Sequence, residues 1–457
     1  MKKIILVVIS VILVINGFGI SSQSIKVQPS NQSASLNDFD MVIIAPAKFK
    51  DEIQPLIDHK NDYDVETFLI STDEIYSEYQ GRDKAEQIKY YIKNAIESFN
   101  IKYVLLMGGK TYLGFKWNVP SRYVQLDDGF GYSEFLSDLY FSDIYNDDGE
   151  FEDWDSNKNG VFAEWGFTGD VLDLEPDVVV GRLPCRTISE VRIVVDKIIS
   201  YEKNTCGQSW FNTGVFVGGD TFPTFEGYEG EGTCDVASGY MGGFDLNKLY
   251  TSTGTLTGPD DIINAVNQGC GFFFTRGRGG QDRIRMVTSD GFEFIAFQDD
   301  DISSLNNEGM YPVCILDECI HGKFDVGIIN YFYLLFRKAG YTKLDCIPEC
   351  LSWRLIREEN AGAIATITNT NICYGSVGDS DENGILDDAE AFGGFLGVEC
   401  FRLYGQNNME VLGDIHKTAV SNYIDNFPIQ SQDSHCKSVM EFILIGDPSL
   451  KIGGVLK

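Results

Sequence analysis

Tyr311-Pro312-Val313-Cys314-Ile315-Leu316-Asp317-Glu318-Cys319-Ile320-His321-Gly322-Lys323-Phe324-Asp325 opens with a short apolar run, Val313–Leu316, held between a proline and a charged cluster. Such a run is how a strand buried on both faces of a parallel sheet reads. It predicts that Cys319 enters a glycine-containing loop beyond the carboxyl end of that strand, where open α/β sheets place their sites. An earlier run, Gly271–Thr275, stops as abruptly in Arg276-Gly277-Arg278-Gly279-Gly280. If the two runs are neighbouring parallel strands, Cys319 and the turn around Arg278 face each other across one crevice. A cysteine nucleophile and its partner need that arrangement. The alternative is a buried cysteine on a structural loop.

Outward from this pair, the chain alternates strand and helix. Gly214–Val217 and Ala363–Thr368 read as further strands, with helices at Asp260–Asn267, Ile347–Glu359, Phe392–Tyr404 and Val411–Tyr423. Residues 221–246 are Gly/Glu-rich and read as a loop walling a cleft. An earlier block repeats the alternation, with strands Met41–Ala45, Val65–Ile70, Tyr103–Met107 and Val178–Val180 and helices Lys50–Lys60, Asp83–Phe99 and Ser189–Lys203. The expected architecture is α/β, with mostly parallel sheets under helices and two related subdomains over residues 38–205 and 206–457. Between the strands, Leu126–Asp177 is acidic, aromatic and glycine-dotted, more a surface elaboration than a packed layer.

The chain has 457 residues and a formal net charge of -32, which argues against nucleic acid and anionic membranes as partners. That charge suits divalent cations or basic ligands. Lys2 and Lys3 precede the apolar run Ile4–Ile15 and a small-residue exit, a pattern that predicts a secretory signal over 1–22, with a Ser/Gln/Asn-rich linker over 23–37. No other segment is apolar enough to span a membrane. There are 11 cysteines, none before Cys185, so at least one thiol has no partner within the chain. Cys319 is the natural candidate, and the pairing of the rest is open.

Several segments in combination resemble the gingipain family of secreted cysteine peptidases: the Tyr103–Gly109 strand and turn, Pro176–Pro184 with its following helix, the Cys319–Phe324 loop, and Gly446–Leu450. The resemblance implies a caspase-like α/β/α sandwich whose second subdomain carries the catalytic groups, protein or peptide substrates, and an extracellular location. It also implies that Cys319 is the nucleophile, with a histidine inside Gly-His-Gly at the end of the preceding strand. Here that place reads Gly277-Arg278-Gly279. An arginine beside Cys319 is expected to favour the thiolate. It stays protonated, however, and cannot pass a proton to a departing amine. Three readings follow: a slow or inactive family member, rescue by His321 two residues from Cys319, or a one-base exchange or sequence error in an otherwise active lineage. His321 otherwise reads as an exposed loop residue. Glu318 reads either as a group that orients a base or binds a basic side chain, or as a strand-end charge facing solvent. The backbone amides of Gly277, Gly279 and Cys319 are candidates to stabilise an oxyanion. His59, His416 and His435 read as structural or surface residues.

Two acidic loops stand apart from this chemistry. Asp379, Asp381, Asn383, Asp387 and Glu390 occupy the first, third, fifth, ninth and twelfth places of a calcium loop, with Gly384 sixth and Ile385 offering its carbonyl. A less complete version runs through Asp153, Asp155, Asn157, Asn159 and Glu164, with Gly166 where a closing glutamate belongs and Asp143, Asp147 and Asp148 nearby. Both are expected to hold structural Ca2+.

Overall fold

A computed structural model describes residues 38–112, 116–126, 133–165, 169–225, 227–326, 347 and 349–455. The signal and linker segments, Gly166 and Cys346 lie outside the described residues. The strands are β1 (Met41–Ala45), β2 (Thr67–Ser71), β3 (Tyr103–Met107), β4 (Arg122–Gln125), β5 (Glu134–Ser137), β6 (Val179–Leu183), β7 (Thr213–Gly218), β8 (Asp245–Tyr250), β9 (Phe272–Arg276), β10 (Arg278–Gly280), β11 (Arg283–Val287), β12 (Glu293–Gln298), β13 (Val313–Leu316), β14 (Ala365–Asn369) and β15 (Phe442–Ile445). The described α-helices are α1 (Lys50–Asn61), α2 (Thr72–Glu78), α3 (Lys84–Phe99), α4 (Ile188–Asn204), α5 (Glu229–Gly239), α6 (Pro259–Asn267), α7 (Leu351–Arg357), α8 (Phe392–Gly405), α9 (Leu412–Asn426) and α10 (Asp433–Glu441).

Ten strands make one sheet, ordered β2-β1-β3-β6-β15-β14-β13-β9-β7-β8. The first block contributes β2-β1-β3-β6. Read inward from the opposite edge, the second contributes β8-β7-β9-β13, the same relative order. That shared order is what two related halves look like, and here they are fused into a single sheet. Neighbours are parallel throughout except β14 and β15. This one reversal turns the second block over, so the carboxyl ends of its strands lie on the opposite rim from those of the first.

Alternation along the second-block strands sends side chains to two separate cores. Phe272, Phe274, Val313 and Ile315 join the larger core with Phe401 of α8, whereas Phe273, Cys314, Leu316, Val215 and Val217 join the smaller one under α6 and α7. Continuous apolar runs are therefore required, because both faces of the sheet are dry. Two helices start with reciprocal capping boxes, Ser71 with Glu74 and Thr187 with Glu190.

The segment 221–246 is not the open loop that its glycines suggest. It contains α5, which lies close on the sheet rim: a Cβ on Gly230 would sit 2.4 Å from the Arg276 carbonyl oxygen. Here glycine lets a helix backbone approach the end of β9, outweighing its poor helix propensity. The arginine-bearing stretch after β9 is also ordered, as the antiparallel ribbon β10-β11-β12.

The first half and the chain's last strand are joined by a buried ionic knot. Lys60 of α1 contacts Glu202 of α4 at 2.8 Å and Asp447 just beyond β15 at 2.7 Å, and His59 Nε2 is 2.8 Å from Glu202. Burial alone would raise the Glu202 carboxyl, but Lys60 and the bonds from His59 and Lys60 overcome it and hold the group down at about 2. For Lys60, burial works against the charge, and Asp447 and Glu202 more than offset it, leaving its pKa raised. A depressed carboxyl contributes stability that is complete above its unfolded value of about 4.3 and is lost as pH falls toward the folded value. Glu202→Gln is accordingly expected to lower Tm strongly at pH 7, with the gap to wild type narrowing on acidification. Thermal unfolding at pH 7 and pH 3 checks this; an equal gap at both would show that the Glu202 charge is not what the knot uses.

Candidate active site

β13 lies between β9 and β14, with Phe274 opposite Ile315 and Thr275 opposite Leu316. The chain leaves β13 through Asp317 and Glu318 and presents Cys319 at the rim, beside the β9–β10 turn. Ile320, the next residue, has φ of 57°. A β-branched residue in that region costs roughly 1–3 kcal/mol. It is held there by its own burial and by its backbone N–H donating to the Asn371 carbonyl at 2.8 Å. The strain is stored at the residue that aims the cysteine.

Opposite, Gly279 presses against the Cys319 peptide. A Cβ at this position would fall 2.3 Å from the Cys319 carbonyl oxygen and 2.6 Å from its nitrogen, so no other residue fits. The two segments frame a cavity of about 260 Å³ lined by Thr221, Phe222, Arg278, Cys319, Cys373 and Tyr374, among others. A larger cavity, about 600 Å³, opens between Tyr76, Trp117 and Phe162 in the first half, but it holds no cysteine. The smaller one is where the chemistry can occur.

Cys319 is partly exposed and unbridged, as are all ten described cysteines in the sense of bonding. Its Sγ lies 3.8 Å from the Cys373 carbonyl oxygen. Burial pushes the Cys319 thiol up, and the Lys437 and Arg276 charges offset this only in part. The sequence pointed to Arg278 as the cation that would favour the thiolate. The structure turns that guanidinium elsewhere: Nε and Nη2 donate to the Thr221 carbonyl at 3.2 and 3.1 Å, and Nη1 donates to Glu293 at 3.2 Å. Asp220 lies close enough for Arg278 to draw its carboxyl down, although burial wins and leaves it raised.

Glu318 and His321 are likewise not the exposed groups of the simpler reading. Both are fully buried. Thr275 Oγ1 donates to Glu318 at 2.8 Å, and the same carboxylate oxygen is 3.3 Å from His321 Nδ1. His321 Nε2 is 2.9 Å from the Arg283 carbonyl, which can only accept, so Nε2 carries a proton. Nε2 is thereby committed to the Arg283 carbonyl, and Nδ1 faces the Glu318 carboxylate without a hydrogen bond. His321 braces the loop from behind and is not in the cavity lining.

Sequence reasoning missed the group that organises this rim. Arg276, at the end of β9, donates Nη1 to the Asp317 carbonyl and carboxylate at 3.0 and 3.1 Å, and Nε and Nη2 to Asp388 at 2.8 and 2.6 Å. Asp388 also accepts from Thr233 Oγ1 and the Ser376 N–H. Burial pushes Asp317 up to about 6 despite the guanidinium. Cys373 was missed as well, because nothing in its local sequence marks it as a neighbour of Cys319.

In the 379–390 loop, carboxylate oxygens of Asp379, Asp381 and Asp387 lie within 4.8 Å of one another, the only such group of three among the described residues. The Asn383 and Gly384 N–H groups point back to Asp379, and Asn383 Nδ2 donates to Glu390 at 2.8 Å. This is a curled set of hard oxygen donors that fits Ca2+. The 153–164 loop differs. Arg82 pairs with Asp155 at 2.5 Å and with Asp153 at 3.2 Å, Lys158 also reaches Asp153, and Asn157 and Asn159 bond Glu164. Side-chain cations of the chain itself sit against Asp153 and Asp155, while the Asn159 and Gly160 N–H groups donate to Asp155 as the Asn383 and Gly384 N–H groups do to Asp379.

The model of Peptidase family C25 matches residues 34–453. The chain belongs to peptidase family C25. No curated protein is detectably similar in sequence. Among solved structures, gingipain R (RgpB), the Arg-specific cysteine proteinase, is similar with TM-score 0.62 and 17% identity, over 91% of this chain and 78% of that one. The complex of the Porphyromonas gingivalis RgpB pro- and mature domains gives TM-score 0.62 at 17% identity, over 90% and 79%. At this identity the likeness establishes the gingipain-type, caspase-like α/β fold.

Within this C25 fold, close packing of Gly279 on Cys319 makes a direct prediction. Gly279→Ala should force the two segments apart, costing about 1–3 kcal/mol, as overpacking does. It should also change the rate at which Cys319 is alkylated. Gly280→Ala is the control, since its Cβ would first meet the flexible Arg283 side chain at 3.2 Å. Thermal unfolding and thiol-labelling mass spectrometry on both variants decide it, and equal behaviour would refute the packing argument.

Proposed function

We propose that this C25 chain is a secreted, gingipain-like cysteine endopeptidase with Cys319 as nucleophile and slow turnover. The observation that carries the reading is the position of Cys319: unbridged, at the carboxyl end of β13, opening into a cavity whose other wall is Gly277–Gly279. In the reaction the Cys319 sulfur attacks a peptide carbonyl, a C–S bond forms, and the backbone amides at Gly277, Gly279 and Cys319 are the donors proposed for the oxyanion. The weak step is the next one. The departing amine must gain a proton as the C–N bond breaks, and Arg278 has none to give. Water is left to supply it. The raised thiol pKa slows the attack as well, because thiolate is scarce near neutrality. The arginine specificity of gingipain R is not part of the proposal for this chain.

That same raised pKa, with no imidazole in the cavity lining, favours a second reading, in which the pocket binds peptides or protein partners without cleaving them. Turnover of a fluorogenic peptide library by wild type, Cys319→Ala and Arg278→His separates the two. Wild-type turnover lost in Cys319→Ala and raised at least about a hundredfold in Arg278→His, the usual scale of general acid–base catalysis, supports the slow enzyme. No turnover by wild type, with turnover gained only in Arg278→His, identifies a binding protein built on a lapsed site.

The 379–390 loop is proposed to hold structural Ca2+ through Asp379, Asp381, Asn383, the Ile385 carbonyl, Asp387 and Glu390. Asp388 lies inside this loop, so ordering it would also steady Arg276. Calcium at about a hundredfold over its Kd adds about 2.7 kcal/mol to a folded state that alone binds it. Wild type should show a calcium-dependent rise in Tm, reversed by chelator and absent in Asp381→Ala. Equal Tm with and without calcium would sink the assignment. Secretion is proposed from the Lys2–Ser22 pattern, and among the described residues no helix is long and apolar enough to cross a membrane.

A further inference from the structure

The charges that line the Cys319 cavity run against the charge of the molecule. Among the described residues, four charged ones line it: Arg276, Arg278, Arg285 and Glu318. Arg276 is buried and matched by Asp317 and Asp388. Glu318 is 1% exposed and turned toward Thr275 and His321. Of the described charged groups, those left facing the opening are the Arg278 and Arg285 side chains, 41% and 35% exposed. They share one carboxylate, Glu293, at 3.2 and 2.8 Å, and Glu293 is not in the cavity lining. Asp220 lies within reach of the Arg278 charge and Glu229 lies beside Asp220, both almost fully buried, and burial raises the pKa of each.

Neither guanidinium is saturated. A guanidinium carries five N–H groups. Among the described residues Arg278 uses three, two on the Thr221 carbonyl and one on Glu293. Arg285 uses two, on Glu293 and on the Gly279 carbonyl at 2.9 Å, while its Nε has no partner. The β10–β11 register sets Arg278 opposite Arg285, so the two side chains rise from one cross-strand pair. Like charges placed directly opposite each other repel, and a single glutamate offsets only one of them.

We infer that this pocket takes an acidic residue of a polypeptide, its carboxylate received by Arg278 and Arg285 beside the Cys319 sulfur. The inference rests on Cys319 being an accessible nucleophile, and it names the substrate class of that site. An arginine fork suits a carboxylate in bidentate geometry, and a lysine or arginine side chain entering the same pocket meets like charge. The overall acidity of the protein would suggest basic ligands, but the exposed charged side chains among the described residues of the lining are arginines.

The test needs no proteolysis. Cys319 of the full chain is alkylated with iodoacetate, an anion, or with iodoacetamide, its neutral analogue. In both reactions the sulfur forms a bond to carbon, iodide leaves, and the thiol proton goes to water. Labelling is followed at Cys319 by peptide mass spectrometry, and the ratio of the two rates is divided by the same ratio for free cysteine. The expected normalised ratio is about fivefold or more, the scale of one partly exposed ion pair. It should fall toward one in Arg278→Gln and Arg285→Gln, and in wild type at high salt. A short peptide containing aspartate should slow iodoacetamide labelling of wild type, whereas the matched lysine peptide should not. Ready labelling with a ratio at or below one overturns the inference while leaving Cys319 a nucleophile. No labelling by either reagent overturns the nucleophile reading, and the inference with it. Should a variant fail to fold, the wild-type ratio, its salt dependence and the peptide comparison still decide the matter.

Discussion

The buried guanidinium of Arg276 is the constraint on which this rim depends. A cation at 3% exposure has lost its water and must be matched inside the protein. Asp317 and Asp388 do so from two different parts of the chain, joined by the Asp317 and Tyr374 carbonyls. Taking away one carboxylate would leave a charge uncompensated in the interior, at a cost of about 3–5 kcal/mol. The end of β9, the end of β13 and the 373–388 loop are therefore coupled, and the two residues that face each other across the cavity sit immediately beside the coupled points. Arg278 follows Arg276 by two positions and Cys319 follows Asp317 by two. The geometry of the site is set one step back from the groups that form it.

Some of this was legible in the sequence because burial on both faces leaves a mark. β1, β3 and β13 fall on the residues read from the apolar runs, since a strand with no wet face tolerates no polar interruption. The neighbouring strands and the placement of Cys319 on their rim follow from the same pattern. Other features depend on neighbours that no local pattern records. The α5 helix is glycine-bearing because it lies against a strand end, and that reason exists only in three dimensions. In the ribbon β10-β11-β12 only β11 alternates arginine with apolar residues, over too few positions to stand out. Glu318 and His321 read as loop polars because their burial comes from β9, α7 and the Arg283 carbonyl, all distant in sequence.

Asp388 illustrates the same limit from another side. Within 379–390 the ligand places are readable by count, and Asp388 falls between two of them as an unremarked tenth residue. The fold uses it as the partner of Arg276 and as the acceptor for Thr233. The loop has two faces, one curling three carboxylates toward each other and one fixing a guanidinium under the cavity. A spacing rule sees only the first.

A guanidinium at position 278, where the resemblance to gingipains implies an imidazole, sets a different task for that position without emptying it. Imidazole near neutrality exchanges protons, and that exchange is what a leaving amine requires. Guanidinium keeps its charge at every physiological pH and offers directed donors instead. The surroundings agree with the second role: Glu293 and the Thr221 carbonyl hold Arg278 in place, and burial shifts the Cys319 thiol in the same cavity toward its neutral form. A fixed cation and an uncharged thiol make a poor proton-transfer pair, and the proposed role of the pocket as a receptor for an anion requires no such transfer.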